Sequence, residues 1–449
     1  MPSIVVNSKL FGEMFGTDEM RTLFSDDTLV QYYLDVEVAL AKCQGELGVI
    51  PQIAAAAIAD AADIGRIDWA RMSERTQTVG YPILPLVEQM SEWAENNAGQ
   101  YCHWGATTQD IMDTADVLQI RAALNMVEEE LQRIGEALAK LAEDHKETPM
   151  AGRTHLQHAL PISFGYKCAT WLSAVDRHLK RLNELRPRVE VVEFSGAAGT
   201  LASLGDQGLP TQHALAKELD LGIPDITWHS IRDGFAEATG LLALITGTIG
   251  KIGYDIMLMM QTETGEVLEP FISGRGASST MPQKRNPISS EMMLASAKLV
   301  REQHSAMLDA MVLDHERATG QWHVEWQALP TAFIVTSGGL RAARETLEGL
   351  EVYPDKMAKV LDVTGGLVVA EAVMMGLAPH LGRQAAHDIV YDCCRQSFAS
   401  ELSFVDLLEN EPAIAKVLSR EELQYLAAPK NYLGSAAEMT TNLLTARKQ

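Results

Sequence analysis

The chain has 449 residues, enough for two or three domains, and 47% of them are hydrophobic while only 6% are aromatic. Few aromatics beside abundant Ala, Leu and Met favour helices over strands. A formal net charge of -23 excludes a nucleic-acid partner, because phosphate binding needs a basic surface, and it obliges any acidic substrate to be met by cations gathered locally, as at Lys284-Arg285.

Cys43, Cys102, Cys168, Cys393 and Cys394 are odd in number and lack metal-site spacing, which points to a reducing, cytoplasmic setting rather than a disulfide framework. Met1 to Val5 shows no basic flank followed by an apolar core, so no signal peptide is read. The longest apolar run, Gly240 to Met260, is interrupted by Lys251 and Asp255 and suits a buried helix better than a membrane span.

Residues 1–112 read as an N-terminal domain of short helices. Asp26-Asp27 is expected to cap a helix through Leu29, Tyr33, Leu34, Val36, Ala39 and Leu40 towards Leu47, ending near Gly48 and Pro51. The next helix is expected from Ile53 to Ala62. His103 to Thr114 then reads H-W-G-A-T-T-Q-D-I-M-D-T. There Thr107, Thr108 and Gln109 are placed to donate to an anion at a helix N-terminus, or simply to cap that helix.

Residues 113–363 read as a central bundle domain. Val117, Ile120, Leu124, Val127, Leu131, Ile134, Leu138 and Leu141 form a heptad-like stripe about 24 residues long, which calls for near-antiparallel neighbours. Gly152 to Ser163, G-R-T-H-L-Q-H-A-L-P-I-S, places His155 and His158 three apart. They are metal ligands, an acid/base histidine, or merely satisfied polar residues before a helix. Phe164 to Leu185 is helical, stopped by Pro187. Ser195 to Gly205, rich in Gly, Ala and Ser, requires close backbone approaches. Gly247 to Ile252 lacks the ending of a phosphate loop. Long helices are expected over His229–Met260, Ser289–Asp314 and Gln327–Leu350. His315 to Trp326, H-E-R-A-T-G-Q-W-H-V-E-W, reads as an exposed amphipathic loop with aromatic anchors. Residues 364–449 form a small C-terminal helical domain, so the fold class is all-α.

One stretch is out of keeping with its aliphatic flanks. Gly276 to Pro287 reads G-A-S-S-T-M-P-Q-K-R-N-P, and Pro282 and Pro287 prevent a continuous helix. It is a polar loop between buried helices, the kind of segment that carries function. Ser278 is a candidate nucleophile or, as an alkoxide, a base. Lys284 and Asn286 are suited to hold a carboxylate, one by charge and one by an amide donor. The bland reading is a solvated connector.

The string Ser278, Ser279, Met281, Pro282, Lys284, Asn286, Pro287 resembles the signature loop of the aspartase/fumarase superfamily, S-S-x-M-P-x-K-x-N-P. His103–Thr114 resembles that family's first conserved region and T-H-L-Q at His155 its second. Over the whole chain the likeness is greatest to the 3-carboxy-cis,cis-muconate cycloisomerase branch, which shares the Phe11–Pro51 opening and H-E-R…W-H-x-E-W. The resemblance implies an all-helical homotetramer with a long central bundle, whose active sites collect segments of three subunits. It implies a small dicarboxylate-containing substrate, no cofactor, no metal, and neither a membrane nor a nucleic-acid partner.

Carried onto this chain, the resemblance makes Ser278 the base, His155 the acid and Glu291 its partner. Thr107, Thr108, Gln157, Ser279, Lys284, Asn286, His103 and Arg317 become substrate-binding candidates. The chain departs from the cycloisomerases, which typically carry Trp at the position of His155 and no carboxylate at that of Glu291. Fumarase-like and adenylosuccinate-lyase-like members have both. A carboxylate fixes an imidazole's tautomer and raises its basicity, which a departing amine or oxygen needs. The expected reaction is therefore β-elimination, by C–N or C–O cleavage, from a substituted succinate. The alternative is carboxymuconate cycloisomerisation. Two rivals from other classes are a metal hydrolase using His103, His155, His158, His315 and His323, and a non-catalytic protein on the same scaffold.

Overall fold

The computed structural model describes residues 4–276, 280–317, 319–400 and 402–448. The regular secondary structure of the described residues is helical apart from two small antiparallel strand pairs and one isolated bridge. The chain divides into two compact units. One comprises Met1–Leu131, His178–Gly250 and Met292–Arg341; the other comprises Gln132–Arg177, Lys251–Glu291 and Ala342–Gln449.

The helices that shape the site are α1 (Asp26–Glu46), α2 (Trp69–Val79), α3 (Thr108–Asp144), α4 (Phe164–Val189), α5 (Asp233–Met259), α6 (Ile288–Ala310) and α7 (Gln321–Glu348). At the start of α1 the cap is Ser25, not Asp26-Asp27. Ser25 is extended and its hydroxyl accepts from the Thr28 amide, while the two aspartates occupy the first turn, where negative charge complements the helix dipole. The helix stops at Gly48, whose φ of +71° suits glycine best.

Helix α3 runs 37 residues, longer than its heptad stripe, because it begins at Thr108 in the polar segment itself. Val117 through Leu138 of the stripe are all buried. A fully buried Leu or Ile is worth about 1.5–3 kcal/mol. Helix α4 continues past Pro187 to Val189. A proline in the last turn removes one hydrogen bond near an end that already lacks partners. Arg186 offsets this by bonding Glu190, Glu128 and Asn125.

Helix α5 is long and apolar enough to cross a membrane, but half of its most apolar window is buried inside the fold. All five cysteines are free thiols. In the first unit the core gathers Tyr33, Leu34, Leu40, Ile58, Ile83, Leu86, Phe194 and Trp322. In the second unit Val373, Leu377, Val390, Phe404, Leu408 and Leu423 form a separate apolar cluster.

Strands β1 (Pro149–Thr154) and β2 (Gln157–Ser163) form a hairpin where the sequence suggested only a polar segment before a helix. Its two-residue turn is His155-Leu156, with φ of +52° and +63°, the handedness that matches strand twist. A bulge lies between Ala151 and Arg153. At Gly152 between them a Cβ would lie 2.7 Å from the Leu160 carbonyl oxygen, which explains the glycine.

Candidate active site

In the first unit, the segment before α3 turns sharply through His103 (φ +58°) and Gly105 (φ +77°). The His103 Nδ1 lies 2.6 Å from Oε1 of buried Glu37. Burial opposes the charged ring, but the Glu37 carboxylate outweighs it and raises the His103 pKa. Thr107 closes the N-terminus of α3: its amide donates to Asp110 Oδ2 at 2.8 Å, and its carbonyl accepts from the Asp110 amide. Thr108 is the first helical residue. Arg317 donates to the Thr107 hydroxyl at 2.7 Å and to the Ala197 carbonyl at 2.6 Å. A guanidinium and a threonine hydroxyl thus meet at a helix N-terminus, a setting that favours a carboxylate.

Beneath this surface lies a buried polar layer. Asp110 accepts from the Ser195 and Gly196 amides and lies 2.7 Å from His229 Nε2. Glu193 accepts from the Ser195 hydroxyl at 2.5 Å and the Trp228 amide at 2.7 Å. One turn further along α3, Asp113 faces Arg232, which also binds Glu325, and all three are buried. Burial pushes the Glu193 carboxyl up to about 7, against the pull of nearby His229. Burial also works against a charged His229, yet Asp110 and Glu193 outweigh it and shift its pKa upward. Ligand atoms of Asp110, Glu193 and His229 all lie within 4.8 Å of one another, but the carboxylates are engaged by amides and a hydroxyl. The arrangement reads as a proton-sharing cluster that fixes the 195–199 loop under Thr107.

Sequence reasoning missed this layer. The Thr107-x-x-Asp110 spacing was a capping signal, but nothing along the chain ties Asp110 to His229, 119 positions away. His315–Trp326 also differs from the exposed loop expected. Helix α7 begins at Gln321, Trp322 is buried, and Glu325 anchors Arg232. His315 and His323 are exposed.

In the second unit, His155 occupies the exposed hairpin tip, and Gln157 opens the return strand opposite Thr154. Behind the tip, Arg153 lies 2.9 Å from Glu266, which is fully buried. The signature loop is fastened at both ends. Arg275 binds Glu345 and Ser289, and Arg285 binds Glu351 and the Glu269 carbonyl. Arg285 is therefore a structural clasp, and of the expected cationic pair Lys284 is the exposed member.

The Asn286 amide donates to the Gly276 carbonyl at 3.1 Å, and a Cβ on Gly276 would lie 2.7 Å from the Asn286 carbonyl oxygen. Glu269 accepts from the Ser289 and Ser290 amides and caps α6, with Glu291 exposed in its first turn. Among the described residues no hydrogen bond or ion pair joins His155 to Glu291 within one chain. Ser278 and Ser279 lie outside the described residues.

Residues 13–301 match the protein family described as Lyase, and residues 366–443 the one described as Adenylosuccinate lyase C-terminus. The chain is 48% identical to trans-aconitate decarboxylase 1 of Mycosarcoma maydis, over 99% of this chain and 90% of that one. It is 45% identical to the 3-carboxy-cis,cis-muconate cycloisomerase of Pseudomonas aeruginosa, over 97% and 95%. It is 39% identical to the N-acetyl-S-(2-succino)cysteine lyase of Enterococcus italicus, over 99% and 98%. The crystal structure of a fumarate lyase from Mesorhizobium sp. BNC1 superposes with a TM-score of 0.91 at 53% identity, over 96% of this chain and 99% of that one.

Proposed function

The chain belongs to the aspartase/fumarase superfamily of lyases, and on that premise we propose that it catalyses β-elimination from a substituted succinate, releasing fumarate or a similar unsaturated acid. The observation that carries this reading is His155 on an exposed, left-handed hairpin tip, the position at which an acid can be offered to a leaving group. Relatives named for a fumarate lyase and for a succinylated cysteine support a succinyl substrate.

The chemistry follows from acidity. A C–H beside a carboxylate is weakly acidic, because its carbanion places two negative charges on one carboxyl group. Ser278, ionised, takes that proton. Lys284 and the Asn286 side-chain amide stabilise the aci-carboxylate. Thr107 with Arg317 holds a carboxylate at the α3 N-terminus, helped by Thr108 and His103, and Gln157 and Ser279 are contributed by neighbouring subunits. The electron pair left on carbon forms the new double bond as the C–N or C–O bond breaks. His155 gives its proton to the departing group. Glu291 orients that imidazole from a neighbouring subunit, so the reading requires an assembled homotetramer.

The test runs the reaction backwards. The enzyme is incubated with fumarate and a panel of amines, alcohols and thiols, and adducts are sought by mass spectrometry. Adducts that Ser278→Ala abolishes, with the fold intact by circular dichroism, support the reading. Turnover of carboxymuconate without any adduct supports the cycloisomerase alternative instead, and carbon dioxide release from trans-aconitate supports a decarboxylase.

A further inference from the structure

In the first unit a cavity of about 400 Å³ lies among residues of α1, α2, α3 and α7, and none of the residues assigned above to the reaction lines it. Its walls include Phe24, Tyr33, Trp69 and Trp326. Three acidic residues line it, Asp26, Asp116 and Glu325, while no Lys, Arg or His is among its described lining residues.

Two of those carboxyl groups have a role already. Asp26 sits in the first turn of α1, and Glu325 is held by two nitrogens of Arg232. Asp116 is different. Its carboxyl is partly buried, yet it makes no hydrogen bond or ion pair with any described residue. Burial, with Asp113 and Glu325 nearby and Arg232 opposing, pushes its pKa well above the usual carboxylate range. A half-buried acid without a partner is costly unless something completes it.

We propose that this cavity binds an organic ammonium ion with an aromatic or apolar body, its nitrogen seated against Asp116. Aromatic faces carry a negative quadrupole that attracts cations, and the carboxyl groups add to that field. An anion would meet Asp26 and Asp116, with the one nearby cation, Arg232, already held by Asp113 and Glu325. A neutral guest would fill the apolar space but offer Asp116 at most an uncharged donor, a weaker partner than an ammonium. At about 30 Å³ per small group the space takes roughly a dozen non-hydrogen atoms, the size of an arylalkylamine. The site is independent of the proposed elimination and stands or falls separately.

The probe is 2-phenylethylammonium, titrated into the full chain by calorimetry and by the fluorescence of Trp69 and Trp326, with 2-phenylethanol and phenylacetate as controls. Saturable binding of the ammonium is expected, at least ~10-fold tighter than the alcohol, with none of the carboxylate. Asp116→Asn should weaken ammonium binding by at least ~10-fold. Ser73→Trp, an exposed position on the cavity lining, should block it and serves as the deciding variant if Asp116→Asn does not fold. Absence of saturable binding, equal affinity for the alcohol, or unchanged binding in folded Asp116→Asn or Ser73→Trp protein would overturn the proposal.

Discussion

Glu193 should make this protein less stable as pH rises through neutrality. Its carboxyl is fully buried and titrates near 7 instead of 4.5. Between those values the folded chain holds a proton that the unfolded chain has released. The contribution of this group is therefore fully present below about pH 4.5 and is lost as pH climbs through about 7. A shift of that size corresponds to about 3 kcal/mol. His229, also shifted upward, acts in the same sense.

Glu193→Gln imitates the protonated acid, since its amide oxygen still accepts from the Trp228 amide and its nitrogen still reaches the Ser195 hydroxyl. Thermal midpoints followed by circular dichroism from pH 5 to 8.5, at fixed protein concentration, should fall with pH in the parent chain. The decline should flatten in the variant, the two curves diverging by a few degrees at the alkaline end. Parallel curves would refute the reasoning, because the buried proton would then lie elsewhere.

Other substitutions probe the remaining layers. Replacing His155 with Asn, which tolerates the left-handed tip, should lower kcat by about 10²–10⁴-fold, and by less for leaving groups that depart without a proton; a uniform loss across leaving groups would count against an acid. Arg317→Met should raise KM for a dicarboxylate by about 10-fold with kcat less affected, as steady-state kinetics will show. Arg232→Met strands two buried carboxylates, and urea denaturation should register a loss of about 3–5 kcal/mol. Leu124→Ala, at the buried centre of α3, should cost about 2–5 kcal/mol by the same measurement.

The long helices were legible because a heptad stripe such as Val117 to Leu138 repeats often enough to outweigh local noise. The hairpin was not. Pro161 argues against a strand, and His155-Leu156 lacks the Asn-Gly signature of its turn type. Residue identity marked Lys284 and Asn286 as candidates, but it gave no hint that Arg285, read only as part of a cationic pair, is turned by the fold into a clasp on Glu351. The pairing of Thr107 with Arg317 was half visible, each partner suspected of handling an anion, although 210 positions apart. Beyond the capping signal at Asp110, the layer of Asp110, Glu193, His229 and Arg232 left no mark, since buried charges are recognised by their partners and those partners are assembled only by folding.

The left-handed backbone at residue 155 limits how this scaffold can be re-purposed. Imidazole and amide side chains settle there with little penalty, whereas a bulky or β-branched replacement pays a conformational cost before it meets any substrate. Engineering a different reaction at this corner would therefore call for rebuilding the turn together with the side chain.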